Sequence, residues 1–323
     1  MSKILFIGDT HYRYTNPSLR IDCYREDIEN CINESLNIAA NKQCEAVIFL
    51  GDIFDSFEPN GIVRNEIIKI FQTSPSGESW GIPMYSVIGN HDIIGHNPDS
   101  LMRTALGTLS QCGLEIPHKK LKLKDTSIYF GHYQHDIEHI DHSNNDCEIY
   151  VMHANILPTP FISDDHILIK DFKVHQKTEL VISGHYHPGY PSVHRDDGVI
   201  FCNPGAIARK SATKSDIERK LQVLFVDIDQ DNLKIANIPL KTAGIGKQIF
   251  NLQAALDNKN KRLSRNELAK KLDGLRSSGI FKLSDSIIDD FKIFCKDHKN
   301  KDEIIKLISS IIDEIKNERK IDE

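Results

Sequence analysis

Six short apolar runs in this chain end in the same way, and that ending limits the folds open to it. "KILFIGD" (3–9), "AVIFLGD" (46–52), "MYSVIGN" (84–90), "SIYFGH" (127–132), "EIYVMH" (148–153) and "LVISGH" (180–185) each place a few apolar residues before Gly, Asp, Asn or His. Continuous apolar runs of this length read as strands buried on both faces. Between the first two lies a stretch, 24–41, with Ile28, Cys31, Ile32, Ser35, Leu36 and Ala39 at helical spacing. A second helix is expected over 62–72, after "EPNG". Strand and helix in alternation predict an α/β layered fold. Further strands are expected in "GVIFCNPGAI", "KLQVLFVDID" and "NLKIANIPL", after residue 195.

The carboxyl ends of strands in an α/β sheet form one edge, where ligands bind. In this chain those ends carry Asp9 and His11 ("GDTH"), Asp52 ("GDIFD"), Asn90 and His91 ("GNHD"), His153 ("VMH"), and His185 and His187 ("GHYH"). A lone Asp-x-His is common, and a single His at a strand end is usually a hydrogen-bonded surface group. Five strand ends that all finish in Asp, Asn or His, often beside Gly, are a different matter. Glycine lets the backbone turn tightly and brings the neighbouring side chains close to an ion. Carboxylate, amide oxygen and imidazole without thiolate suit Mn²⁺, Fe²⁺ or Zn²⁺, and the oxygen share favours Mn²⁺. Mg²⁺ is a further alternative. So many candidate ligands exceed one tetrahedral zinc and match two ions sharing a carboxylate. Such a pair activates water between the ions and clamps an in-line displacement at phosphorus. The chemistry expected is hydrolysis of a phosphate ester.

The ordered set "GDTH…GDIFD…GNHD…H…GHYH" resembles the calcineurin-like metallophosphoesterase superfamily over about residues 3–205. The resemblance implies a layered core of two mixed β-sheets flanked by helices. It also implies a division of labour. Asp9, His11 and His187 would hold the first metal, and Asn90, His153 and His185 the second, with Asp52 bridging. His91 would stay off the metals, contact the phosphate and protonate the leaving oxygen as general acid. Asp92 would orient His91, and Asp55 would support the ligands from behind. The nucleophile would be the hydroxide bridging the metals.

Within the superfamily, protein phosphatases carry an Arg after the second Asp of G-D-x-x-D and another after G-N-H-E. Those places here read "DSF" and "GNHDII", which counts against that branch. "GDIFDSFEPN" followed by a helix and "IPMYSVIGNHD", with "CNPGAI" later, is most similar to the SbcD and meiotic-recombination-type DNA repair nuclease subunits. That resemblance implies Mn²⁺-dependent exonuclease and endonuclease activity on DNA, a homodimer, and an SbcC-type coiled-coil ATPase partner. The alternative on the same core is a phosphodiesterase or phosphatase for a nucleotide or cyclic nucleotide.

Charge divides the chain in two. Residues 1–240 carry 22 Lys and Arg against 32 Asp and Glu, whereas residues 241–323 carry 18 against 14. The expected organisation is therefore a catalytic domain over 1–240 and a basic, mainly helical region over 241–323. Helices are expected over 249–276, 284–296 and 301–318 in that region. Duplex affinity comes largely from Lys and Arg on phosphates, so Arg262, Arg265, Lys270 and Lys271 are the candidate DNA contacts. The histidine-dense "GHYQHDIEHIDH" (131–142) is expected to be a polar loop beside the cleft rather than a third metal site. The seven cysteines include no C-x-x-C pair. With no signal-peptide pattern at the start and no apolar run long enough to cross a bilayer, a cytoplasmic location is expected.

Overall fold

The computed structural model describes residues 2–133, 141–161, 166–229 and 232–261. The strands are β1 (Ser2–Ile7), β2 (Ala46–Phe49), β3 (Met84–Ser86), β4 (Leu114–Glu115), β5 (Lys120–Leu123), β6 (Thr126–Gly131), β7 (Asp141–His142) and β8 (Ile149–Met152). They continue with β9 (Ile156–Leu157), β10 (Ile167–Leu168), β11 (Lys173–Val174), β12 (Leu180–Ser183), β13 (Tyr190–His194), β14 (Ile200–Asn203), β15 (Gln222–Asp229) and β16 (Asn232–Pro239). The main helices are α1 (Tyr24–Asn41), α2 (Gly61–Gln72) and α3 (Ala105–Ser110). Both long helices fall where the apolar spacing puts them. The Asn60 side chain starts α2 by accepting a hydrogen bond from the Val63 amide at 3.0 Å.

Two mixed sheets of six strands result. The first runs β16-β15-β1-β2-β3-β4 and the second β13-β14-β12-β8-β6-β5. In the first, β1 to β4 are mutually parallel, β15 lies antiparallel to β1, and β16 lies antiparallel to β15 at the edge. In the second, β14, β12, β8 and β6 are parallel, with β13 and β5 antiparallel at the edges.

The inner faces of the sheets share one apolar layer. Ile4, Phe6, Ile48 and Val87 from the first meet Ile128, Phe130, Val151, Leu180 and Ile182 from the second. Outside the first sheet, Leu5, Ile7, Val47 and Phe49 pack against α1 and α2 through Ile28, Ile32, Leu36, Val63 and Ile67. Outside the second, Tyr129, Tyr150, Val181 and Phe201 are covered by Ile156, Ile167 and Phe172. Alternate residues of one strand therefore enter different cores, which explains why the runs are apolar throughout.

The chain divides into two units, Met1–Ala255 and Leu256–Glu323. Residues 241–251 belong to the first and are tied to α1: Glu34 accepts from the Lys241 and Thr242 amides at 2.9 and 2.8 Å, and Asp27 from the Gly244 amide at 2.7 Å. Residues 252–261 are helical. Arg262, Arg265, Lys270 and Lys271, the remainder of the stretch 249–276, and the stretches 284–296 and 301–318 lie outside the described residues. Among the described residues no helix is long and apolar enough to cross a membrane.

Candidate metal centre

The parallel strands of both sheets deliver their carboxyl ends to one place. From the first sheet, β1 leads to Asp9 and His11, β2 to Asp52 and Asp55, and β3 to a 3₁₀ turn, Asn90–Asp92. From the second, β8 leads to His153 and β12 to His185 and His187. Asp9, His11, Asp52 and His153 are buried.

Three groups of possible ligand side chains converge, one joining His11, Asp55 and His91 and the other two sharing Asp52. Asp9, His11, Asp52 and His187 converge in one; Asp52, His153 and His185 converge in the other. In the first group the Nε2 atoms of His11 and His187 lie 2.8 Å apart, and His11 Nε2 is 3.6 Å from Asp52 Oδ2. In the second, His153 Nε2 is 3.1 Å from Asn90 Oδ1, 3.1 Å from His185 Nδ1 and 3.5 Å from Asp52 Oδ2. His153 Nδ1 donates to the Leu50 carbonyl at 2.7 Å, which turns Nε2 toward the centre.

Local backbone geometry aims these groups. His11, Asp52 and His185 all have left-handed backbones, with φ of 43°, 48° and 71°. A non-glycine residue there costs on the order of 1–3 kcal/mol and persists only where the surroundings impose it. The imposing bonds are visible. The Tyr24 hydroxyl donates to the His11 carbonyl at 3.0 Å, and the His11 amide to the Asp52 carbonyl at 2.9 Å. The Asp52 amide donates to Asp92 at 2.8 Å, and the His185 amide to Asp9 at 3.1 Å. The glycine preceding Asp52 is required by crowding as well as by its own φ of 93°, because a Cβ there would sit 2.4 Å from His153 Nδ1.

Electrostatics separates the histidines. Burial pushes His185 and His187 down to about 4, so both are neutral near pH 7. Burial also acts on His153, but the Asp52 and Asp9 carboxylates outweigh it and raise His153. Burial would raise Asp52, yet His153, His11 and His91 hold it well below the usual carboxylate range. Asp92 is raised by burial and by the Asp52 charge.

These residues fit a pair of divalent ions. Asp9 Oδ2 is buried without a hydrogen-bond partner among the described residues, and a buried unpaired carboxylate oxygen is costly unless a cation meets it. Mixed N/O donors without thiolate match that requirement.

His91 stands beside this centre. Its ring meets the His11 ring edge-on, with centroids 4.8 Å apart, and its Nδ1 donates to the Asp55 carbonyl at 2.8 Å. The remaining nitrogen, Nε2, is thereby left as the one able to take up or release a proton. Asp92, expected to orient His91, does other work. Its carboxylate accepts from the amides of Gly89, Asp52 and Phe54 at 2.9, 2.8 and 3.4 Å. Asp92 thus pins two strand-end loops together, and the backbone of Asp55 fixes the His91 ring.

Asp55 lies behind His11, its carboxylate 3.3 Å from Nδ1. Two cations meet that carboxylate, Lys210 at 2.5 Å and Arg13 at 2.8 Å. Neither was singled out by the motifs: Arg13 merely follows "DTHY", and Lys210 comes from the loop beyond β14, where no spacing marks it. Tyr133 was also missed. Its buried ring faces those of His153 and His185 at 5.9 and 5.6 Å. Of the histidine-dense loop, residues 134–140 lie outside the described set. His132 is buried away from the two groups, with Nδ1 accepting from the Ile88 amide at 3.0 Å, and His142 is buried against Tyr129, Tyr150 and Phe172.

The model of the calcineurin-like phosphoesterase superfamily domain matches residues 2–231. The chain belongs to that superfamily, and it is a metallophosphoesterase, hence a hydrolase. Among curated relatives, the DNA double-strand break repair protein Mre11 of Methanosarcina acetivorans is 22% identical over 206 residues, covering 57% of this chain and 30% of that protein. The protein of the same name from Thermoplasma acidophilum is 28% identical over 92 residues, 27% of this chain and 22% of that one. The chain therefore spans less than a third of the length of the curated relatives it matches. Among solved structures, a dimetal phosphatase from Danio rerio shares the fold with a TM-score of 0.51 at 10% identity, covering 74% of this chain and 96% of that one.

Proposed function

We propose that this protein is a two-metal phosphodiesterase that cuts DNA as an exonuclease and endonuclease in repair or recombination. The observation that carries the reading is Asp52 common to two ligand groups, with His91 held beside them by Asp55. In this reading Asp9, His11 and His187 would hold one ion and Asn90, His153 and His185 the other, with Asp52 common to both groups. Bound divalent ions supply charge stabilisation to the phosphate oxygens and an activated water. Mn²⁺ is the first choice, with Fe²⁺, Zn²⁺ and Mg²⁺ as alternatives. His91 carries the proton to the leaving oxygen through Nε2, since Nδ1 is committed to a carbonyl that only accepts. Asp92 keeps the loops of Asp52 and Asn90 in register.

Support for DNA as substrate comes from the two relatives, both DNA double-strand break repair proteins. The region 241–323, with Arg262, Arg265, Lys270 and Lys271, is assigned to DNA or partner contact. Homodimerisation, an SbcC-type ATPase partner and a cytoplasmic location belong to the same reading.

A second reading keeps the chemistry and changes the substrate to a nucleotide or cyclic nucleotide. It is favoured by the acidic balance of residues 1–240. Assays with Mn²⁺ on linear and hairpin DNA, set against bis-p-nitrophenyl phosphate and cyclic nucleotides, separate the two. Hydrolysis of the small substrates alone overturns the nuclease reading. Replacement His91→Ser is expected to lower turnover by about 10²–10⁴-fold while metal content stays near wild type. Loss of the metals in that variant means the roles are divided wrongly.

A further inference from the structure

The phosphate-gripping arginines of protein phosphatases are missing from their usual places in this sequence, yet two cations reach the centre by other routes. Lys210 arrives on the loop after β14 and Arg13 on the loop after β1, and both end on the carboxylate of Asp55. One carboxylate balances one of them. The other positive charge is surplus, on side chains that keep 23% and 32% of their surface exposed.

Position decides what the surplus charge can meet. Lys210 Nζ lies 3.2 Å from His11 Nδ1, whereas the opposite nitrogen of that ring, Nε2, faces His187 and Asp52. An imidazole ring therefore stands between Lys210 and the ligand groups. A phosphate held on those groups is out of direct reach of Lys210, while the His91 ring, anchored to the same Asp55, stands edge-on to His11. We propose that Lys210 and Arg13 receive the phosphate adjoining the scissile one, so that the preferred substrate has at least two phosphates in a row. Asp55 preorganises the pair, and one cation turns outward when the second phosphate arrives. This rests on the nuclease reading above and extends it from the bond that is cut to the length of strand that is read.

The experiment uses the full chain with Mn²⁺ and three substrates: a thymidine dinucleotide with its single phosphodiester, the same dinucleotide with a 5′-phosphate, and the same with a 3′-phosphate. One phosphorylated form is expected to show about tenfold higher kcat/KM than the unphosphorylated one, mainly through KM, as one charge-assisted contact supplies. Lys210→Ala should erase that ratio, Arg13→Ala should reduce it, and Lys210→Arg should keep it. On longer single strands each alanine variant should lower the salt slope of binding by about 0.7. A ratio unchanged in both alanine variants overturns the proposal. So does a parallel fall on all three substrates accompanied by lost metal, because Lys210 would then serve only to position Asp55 and His11. If the wild type cuts none of the three yet turns over bis-p-nitrophenyl phosphate, the nuclease reading fails first and takes this one with it.

Discussion

The two sheets contribute unlike chemistry to one centre. Every acidic side chain in it, Asp9, Asp52, Asp55 and Asp92, comes from the first sheet, together with Asn90, His11 and His91. The second sheet supplies imidazoles alone among the ligand groups, His153, His185 and His187, and the loop after its strand β14 carries the cation Lys210 across to His11 and Asp55. Neither half alone holds a mixed set of oxygen and nitrogen groups on both sides of the shared Asp52 carboxylate. The centre is thus a product of inter-sheet packing, and Asp52 of the first sheet meets the second at His153, 3.5 Å away, while also lying 3.6 Å from His11 on its own side.

The sharpest way to break this arrangement is to remove the charge that joins its halves. Asp52→Asn keeps the shape but gives both groups a neutral oxygen. Hydrolysis of bis-p-nitrophenyl phosphate is expected to fall roughly 10³-fold or more, comparable to removing a preorganised electrostatic contact. Metal analysis should show both ions weakened together. Loss of one ion with the other retained would mean that the groups are independent.

Separating the sheets mechanically comes next. Phe130 is fully buried in the layer between them, and Phe172 is equally buried outside the second sheet. Phe130→Ala and Phe172→Ala should each cost about 3 kcal/mol by denaturant unfolding. Only Phe130→Ala should also weaken metal binding at temperatures where the protein stays folded. Equal effects on metal binding would show that the centre depends on overall stability rather than on the contact between sheets.

How much of this was legible in the sequence follows from the same division. Each candidate ligand sits within a few residues of a strand end, so a local reading of apolar runs singles out Asp9, His11, Asp52, Asn90, His153, His185 and His187 one by one. The helices α1 and α2 were legible for the same reason, since their spacing is local. What holds the ligands is not local. Asp92 and Asp55 appear beside His91 and Asp52 in the sequence, but their bonds cross between loops. The carbonyl that fixes His91 belongs to Asp55, and the carboxylate of Asp92 serves three amides. Lys210 reaches His11 across 199 positions of chain, and no periodicity announces such a contact. The left-handed backbones of His11, Asp52 and His185 were equally hidden, because non-glycine residues rarely adopt them without tertiary constraint.

Protons offer a finer comparison. The carboxylates of the first sheet raise His153 to about 9, while burial holds His185 and His187 at about 4. In the metal-free protein only His153 of the three then carries a proton near neutrality, and that proton must leave when the ring becomes a ligand. Metal affinity is expected to rise about tenfold per pH unit from pH 6 to 8, by one released proton, and to level near pH 9. Titration calorimetry in buffers of different ionisation enthalpy counts the proton directly. The same shift has the opposite sense for folding. A raised histidine stabilises the metal-free fold below its unfolded value, near 6.5, and that gain is lost as pH rises through the folded value. Release of two or three protons at pH 7 would erase the distinction between His153 and its neighbours.

The smallest effect separates the two ways in which the sheets hold a strained ligand. His185 of the second sheet is fixed across the interface by Asp9, whereas His11 of the first is fixed from its own side by the buried hydroxyl of Tyr24 on α1. Tyr24→Phe removes one oxygen, leaves the ring packed in the core and strands the His11 carbonyl without that donor. The cost should be about 1 kcal/mol in unfolding, the usual net worth of a buried hydrogen bond. Because the lost bond holds a left-handed residue in place, the weakened affinity should be confined to the ion that His11 serves. Stepwise metal titration distinguishes this from a general loss. A uniform fall at both sites would mean that strain in one loop passes through Asp52 to the other half, and that the helix supports the centre as a whole.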